Sequence, residues 1–188
     1  IPICIIPYDE RLDRIKKEIN SRANLSLFDN QKSIECWDNF AKKVWNSHSR
    51  NNLGRIARPR WYKSNLQRKF ASFDGAFDRF VFYDADSLAM KPLDGIFAKL
   101  NEYDFVFDDW EHRKPDSIAA LNISIIEESG LYSKEQIIPK LHCGSFFASK
   151  KGLFSSEELG VFEELLINQK EIEWINGHGW WDDVFLFN

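Results

Sequence analysis

The sequence predicts an α/β domain in which a mostly parallel central sheet is flanked by helices, a single unit spanning residues 1–188. Three observations carry that expectation. Short apolar runs of strand length alternate with longer segments whose apolar residues recur at helical spacing. Two of the runs, "RFVFYDAD" and "YDFVFDD", end in paired aspartates, and the carboxyl ends of strands are where such sheets bind ligands. The 188 residues, 44% apolar and 29% charged, suit one core, and no linker, repeat or low-complexity tract divides them.

The elements follow in order. "ICIIP" (Ile3 to Pro7) is an apolar run closed by a proline, the pattern of a buried strand. "DERLDRIKKEIN" puts Leu12, Ile15 and Ile19 on one helical face. A stronger helix runs through "QKSIECWDNFAKKVWNS", where Ile34, Trp37, Phe40, Ala41, Val44 and Trp45 form a single stripe. "RNNLGRIARPR" reads as a basic loop, and "WYKSNLQRKFASF" as a helix with Leu66, Phe70 and Phe73 inward, broken by "DGAFD". Strands are expected at Phe80–Tyr83, at Tyr103–Phe107 and within "LHCGSFFAS", with a loop at "WEHRKPDS". "SSEELGVFEELLINQK" carries a capping signature, Ser155 to Glu158, and a stripe of Leu159, Phe162, Leu165 and Leu166. "NGHGWWDDVFLFN" is a glycine-punctuated loop leading into an aromatic helix or strand.

Charge and cysteine content narrow the functional classes. A net charge of −4 argues against non-specific nucleic-acid binding. Cys4, Cys36 and Cys143 are odd in number, far apart and without a C-x-x-C spacing, so free thiols in a reducing, cytoplasmic compartment are expected rather than disulfides or structural zinc. No apolar run reaches the length of a membrane span. The chain starts at Ile1 and stops at Asn188 inside an apolar pattern, which predicts a piece of a longer protein.

The chemistry concentrates at "YDADS". In an extended segment residues i and i+2 face the same way, so Asp84 and Asp86 are expected on one side with Ala85 opposite, small enough to let a ligand approach. Two like charges held together call for a counter-charge, and two hard oxygen donors suit Mn²⁺ or Mg²⁺ sharing its remaining positions with phosphates. The bland alternative is a pair of aspartates that merely end the strand and cap the next turn.

"FDRFVFYDADSLAMKPLDGIF" resembles the D-x-D segment of nucleotide-sugar glycosyltransferases with the GT-A fold, above all the glycogenin-like family 8, through Asp84, Ala85, Asp86, Ser87, Leu88, Pro92, Leu93, Asp94, Ile96 and Phe97. The resemblance implies a UDP-sugar donor, an unidentified acceptor hydroxyl and retention of anomeric configuration. It implies that Asp86 binds the metal and that Asp84 binds metal or donor ribose. Arg68 or Lys69 would contact the nucleotide, and Tyr8 and Asp9 would hold the base by stacking and by accepting its ring N–H. "HCGSFF" stands in place of an Asn-Ser-Gly strand, so His142, Cys143 and Gly144 take those places with two substitutions, and His142 and Gly144 would face the substrate. Asp183 or Asp182 would act on the donor sugar, with Asp109 orienting sugar or acceptor. The family's third metal ligand, a histidine, is expected beyond Asn188.

Other residues read two ways. Trp180 and Trp181 before Asp182 and Asp183 form either a sugar platform or a packed helix face. "RIARPRWYK" reads equally as a diphosphate-binding cluster and a solvated loop. His178 reads as an exposed loop histidine, and His142 beside Cys143 as strand neighbours facing opposite ways. Two rival functions remain. One is a sugar-nucleotide-binding module that has lost catalysis. The other is a haloacid dehalogenase-like phosphatase with Asp84 as nucleophile, against which stand Ser87-Leu88 after the motif and more than eighty residues before it.

Overall fold

The first strand, β1 (Ile3–Ile5), pairs in parallel with β2 (Leu25–Leu27), in the register Ile3 with Leu25 and Ile5 with Leu27. The computed structural model describes residues 1–49, 65–107, 121–142 and 144–175. Helix α1 (Asp13–Ser21) makes the crossover between the two strands and half-buries Leu12, Ile15 and Ile19. Strand β2 was not expected, because three residues of Leu-Ser-Leu carry too little pattern to stand out.

Helix α2 (Gln31–Ser47) begins where the Asn30 side chain accepts the Ser33 backbone N–H at 3.2 Å, satisfying one of the orphan donors of a helix start. All six residues of its expected stripe are buried. They pack on a 3₁₀ segment, Leu66–Asp74, through the Trp37 and Phe70 rings, 5.2 Å apart. That segment buries Phe70, Ala71 and Phe73 almost completely, and Gln67, Arg68 and Lys69 with them. An amphipathic helix was expected here; a tighter turn that is buried on several sides formed instead.

The second sheet holds β3 (Arg79–Tyr83), β4 (Phe105–Phe107) and β5 (Phe146–Lys150) in the order β3-β5-β4. Strand β5 is antiparallel to both neighbours, with Phe82 and Phe107 each opposite Phe147. Phe80, Phe82, Phe105, Phe107 and Phe147 therefore share one face, and Phe147 packs on Phe70 and Phe73 of the 3₁₀ segment, each 5.8 Å between ring centroids. The expected α/β class stands, but the mostly parallel central sheet does not. Only β1–β2 pair in parallel among the described strands, and both sheets are small. Strands β3 and β4 run the same way and are linked by α3 (Asp94–Lys99), yet β5 lies between them, a split βαβ arrangement. Periodicity marks a strand without saying which neighbour it takes.

Helices α4 (Ile123–Glu128) and α5 (Lys134–Ile137) precede β5, and α6 (Ser156–Glu163) follows it. The capping box expected at Ser155 and Glu158 is present. The hydrogen bonds from Ser155 hold the Glu158 carboxyl below its ordinary range. A π-helical turn, Glu164–Asn168, then brings Leu166 into the core. Cys4 and Cys36 are free, and burial pushes both thiols upward. Among the described residues no helix is long and apolar enough to cross a membrane.

Candidate functional site

Because β5 opposes both of its neighbours, the carboxyl ends of β3 and β4 meet its amino end at one rim of the sheet. Asp84 stands on that rim. Its backbone N–H donates to the Ser145 carbonyl at 3.0 Å, which carries the β3–β5 ladder one residue past the strand. Its carbonyl accepts the Ser87 N–H at 2.9 Å, closing a β-turn over Asp84-Ala85-Asp86-Ser87. The aspartate pair is thus not an extended segment, and the same-side argument for Asp84 and Asp86 fails. Asp, Ala and Ser favour a turn once the ladder ends. Asp84 is a ladder residue, whereas Ala85 and Asp86 form an exposed turn.

Lys69 reaches this rim from the 3₁₀ segment. Its ammonium donates to Asp84 Oδ1 and to the Gly144 carbonyl, each at 3.0 Å, and stands 5.2 Å from the centroid of the Phe82 ring. The lysine side chain is 5% exposed and that of Asp84 36%. A charge so nearly buried persists only when paired and hydrogen-bonded. Asp84 continues the face of Phe80 and Phe82, on which the 3₁₀ segment packs, so the pairing follows from strand parity.

The residue next to it turns to a different task. Arg68 grips Asp38 of α2 with two parallel bonds, Nε to Oδ1 at 2.8 Å and Nη2 to Oδ2 at 2.7 Å. It also donates to the Tyr8 carbonyl at 3.0 Å and to Glu10 at 3.3 Å. Hydrogen bonding to Asp38, foremost, raises its pKa further. Asn65 donates to the same Tyr8 carbonyl at 2.7 Å. Both basic residues expected at the nucleotide are therefore engaged by the protein, and each anchors a loop.

The loop after β1 is tightly organised. Asp9 is buried, and its carboxylate accepts the Arg11 backbone N–H at 2.9 Å and the Arg11 side chain at 2.5 and 2.7 Å. The acceptor role expected of Asp9 toward a base competes with this arginine. Tyr8 and Asp9, with Arg11, Arg14 and Ile15 among others, line an open hollow of about 790 Å³. Since Arg68 holds the Tyr8 loop and Lys69 holds Asp84, consecutive residues bind the two loops that the family resemblance would assign to base and metal.

His142 lies before β5 rather than within it, so the opposite-face argument for His142 and Cys143 does not apply. It is 7% exposed, its ring centroid lies 3.6 Å from that of Phe107, and its Nδ1 is 3.2 Å from the Lys140 carbonyl. Gly144 is buried with its carbonyl on Lys69. Asp109, Cys143, His178, Trp180, Trp181, Asp182, Asp183 and the "RIARPRWYK" cluster lie outside the described residues.

Asp84 and Asp86 are hard oxygen donors of the class that Mn²⁺ or Mg²⁺ takes, and Asp84 Oδ1 already accepts from Lys69. Such ions often take only one or two carboxylates and complete their shell with water and phosphate. Asp84 and Asp86 are two such donors on one four-residue turn. No group of three or more His, Cys, Asp or Glu side chains among the described residues is placed to hold a metal. No protein-family model matches the chain, and neither curated proteins nor solved structures provide a match. Sequence reasoning missed Asp38, the Tyr8 carbonyl and the Gly144 carbonyl as partners of the basic pair. No short-range spacing could have revealed them, because each partner comes from a distant segment.

Proposed function

We propose that the chain is a metal-dependent glycosyltransferase of the GT-A type, similar to the glycogenin-like family 8. It would move a sugar from a uridine diphosphate donor to an acceptor hydroxyl with retention of configuration. The observation that carries this reading is the double tether, in which consecutive residues fix two loops, Arg68 the Tyr8 loop and Lys69 the aspartate turn at the end of β3. A divalent cation on Asp86 and Asp84 would supply Lewis-acid neutralisation of the leaving diphosphate. Tyr8 offers a face for the base, and Lys69 holds the Asp84 carboxylate in place. His142 and Gly144 support the rim below the sugar, Asp183 or Asp182 is assigned to the sugar by the family resemblance, and Asp109 and Trp181 are assigned to sugar or acceptor by their setting in the sequence.

The test is turnover of a UDP-sugar panel with Mn²⁺. Release of UDP that requires the metal, and that Asp86→Asn lowers at least about a hundredfold, a loss of transition-state stabilisation near 2.7 kcal/mol, supports the reading. UDP binding without release of UDP identifies a silent module instead. A second reading has one observation of its own: an aspartate nucleophile also needs a neighbouring cation, and Lys69 lies against Asp84. A phosphatase of that kind would be trapped by beryllium fluoride on Asp84 and would ignore UDP.

A further inference from the structure

We infer that Lys69 is a resident counter-ion that weakens Asp84 as a ligand for a free divalent cation, so that the cation enters as its complex with the diphosphate. The inference rests on reading the turn as a metal–diphosphate site. Lys69 is almost fully buried, and its ammonium has a carboxylate oxygen, a main-chain carbonyl and an aromatic face around it. It is built into the core and is not a surface side chain that swings aside. Asp84 is thus already neutralised by the protein, whereas Asp86 is exposed on the turn. A doubly charged ion on Asp84 must share that carboxylate with the ammonium. Even at the dielectric of water, repulsion between the two cations at contact range lowers affinity by a factor of about ten. The described residues therefore offer a lone ion one full carboxylate and one that is partly cancelled. A diphosphate brings at least two further anionic oxygens, which offset the lysine and complete the shell. Binding order and metal selectivity would then depend on the nucleotide as much as on the aspartates.

The experiment titrates Mn²⁺ into the full chain with and without UDP, following the free-ion paramagnetic resonance signal. In the wild type, Mn²⁺ alone should bind only in the millimolar range, and UDP should tighten it by roughly tenfold or more. Lys69→Met should tighten Mn²⁺ alone by about tenfold and shrink the gain from UDP, while Lys69→Arg should behave as the wild type. A lysine with a purely structural role would lower thermal stability on substitution and leave Mn²⁺ affinity where it was, which would overturn the inference. So would micromolar Mn²⁺ binding by the wild type that is indifferent to UDP, a result that needs no variant to fold. No Mn²⁺ binding under either condition would overturn the functional reading itself, and this inference with it.

Discussion

Arg68 and Lys69 adjoin in the chain and are buried together, yet substituting them should have different consequences. Arg68 and Asp38 are 10% and 13% exposed, so losing the guanidinium leaves a nearly buried carboxylate without its cation, while the Tyr8 carbonyl keeps Asn65 as donor. Arg68→Ala should destabilise the protein by about 2–4 kcal/mol in urea unfolding, somewhat below the cost of breaking a fully buried pair. Arg68→Lys should recover less than half of that, because an ammonium cannot match the two-pronged bond to Asp38. A lysine variant indistinguishable from wild type would show that the fork geometry is irrelevant. Glu171 gives a pH signature of the opposite kind to a paired carboxylate. Burial raises its pKa, so its contribution to stability is fully present below the unfolded pKa and is lost as pH rises through the folded one. Glu171→Gln should therefore stabilise the protein at neutral pH by a few tenths of a kcal/mol, roughly the range of surface changes. The gain should vanish in acid when melting is followed across pH.

At the scale of elements, the aromatic face of the three-stranded sheet and the cap of α6 make separable predictions. Phe147 packs against Phe70, Phe73, Phe80, Phe82 and Phe105. Phe147→Ala should cost about 3–5 kcal/mol, a transfer loss plus an unfilled cavity, and collapse the near-ultraviolet dichroism of the aromatic cluster. Ser155→Ala should cost only about 1 kcal/mol, read as a lower urea midpoint at unchanged slope. How legible an element was depended on how its burial is patterned. Helix α2 buries one stripe, and that stripe is written at helical spacing from Ile34 to Trp45. The Ser155–Glu158 cap was equally plain, being a local exchange of hydrogen bonds. The 3₁₀ segment hid its character because Gln67, Arg68 and Lys69 are polar letters at buried positions, and their partners are set by tertiary packing. The Asp84–Ser87 turn hid for another reason: D-A-D reads equally well as a strand end or a turn, and only the Ser145 and Ser87 hydrogen bonds decide between them.

For the molecule as a whole, the α/β class was readable from alternation, while strand order was not. The position of β5 between β3 and β4 depends on long-range pairing that periodicity does not encode. That placement gathers Asp84, Gly144 and Phe107 on one rim, and the Arg68–Lys69 step couples the rim to the loop after β1. On the proposed function, this rim binds a diphosphate through a divalent cation held by the aspartate turn. Melting of the wild type and of Asp86→Ala with UDP, with Mn²⁺ and with both tests it most directly. Saturating both ligands near a hundred times the dissociation constant should stabilise the wild type by about 2.7 kcal/mol. Either ligand alone should give little, and Asp86→Ala should show no shift beyond its ligand-free melt. Equal stabilisation of wild type and Asp86→Ala, or no response of the wild type to the pair, would contradict the account.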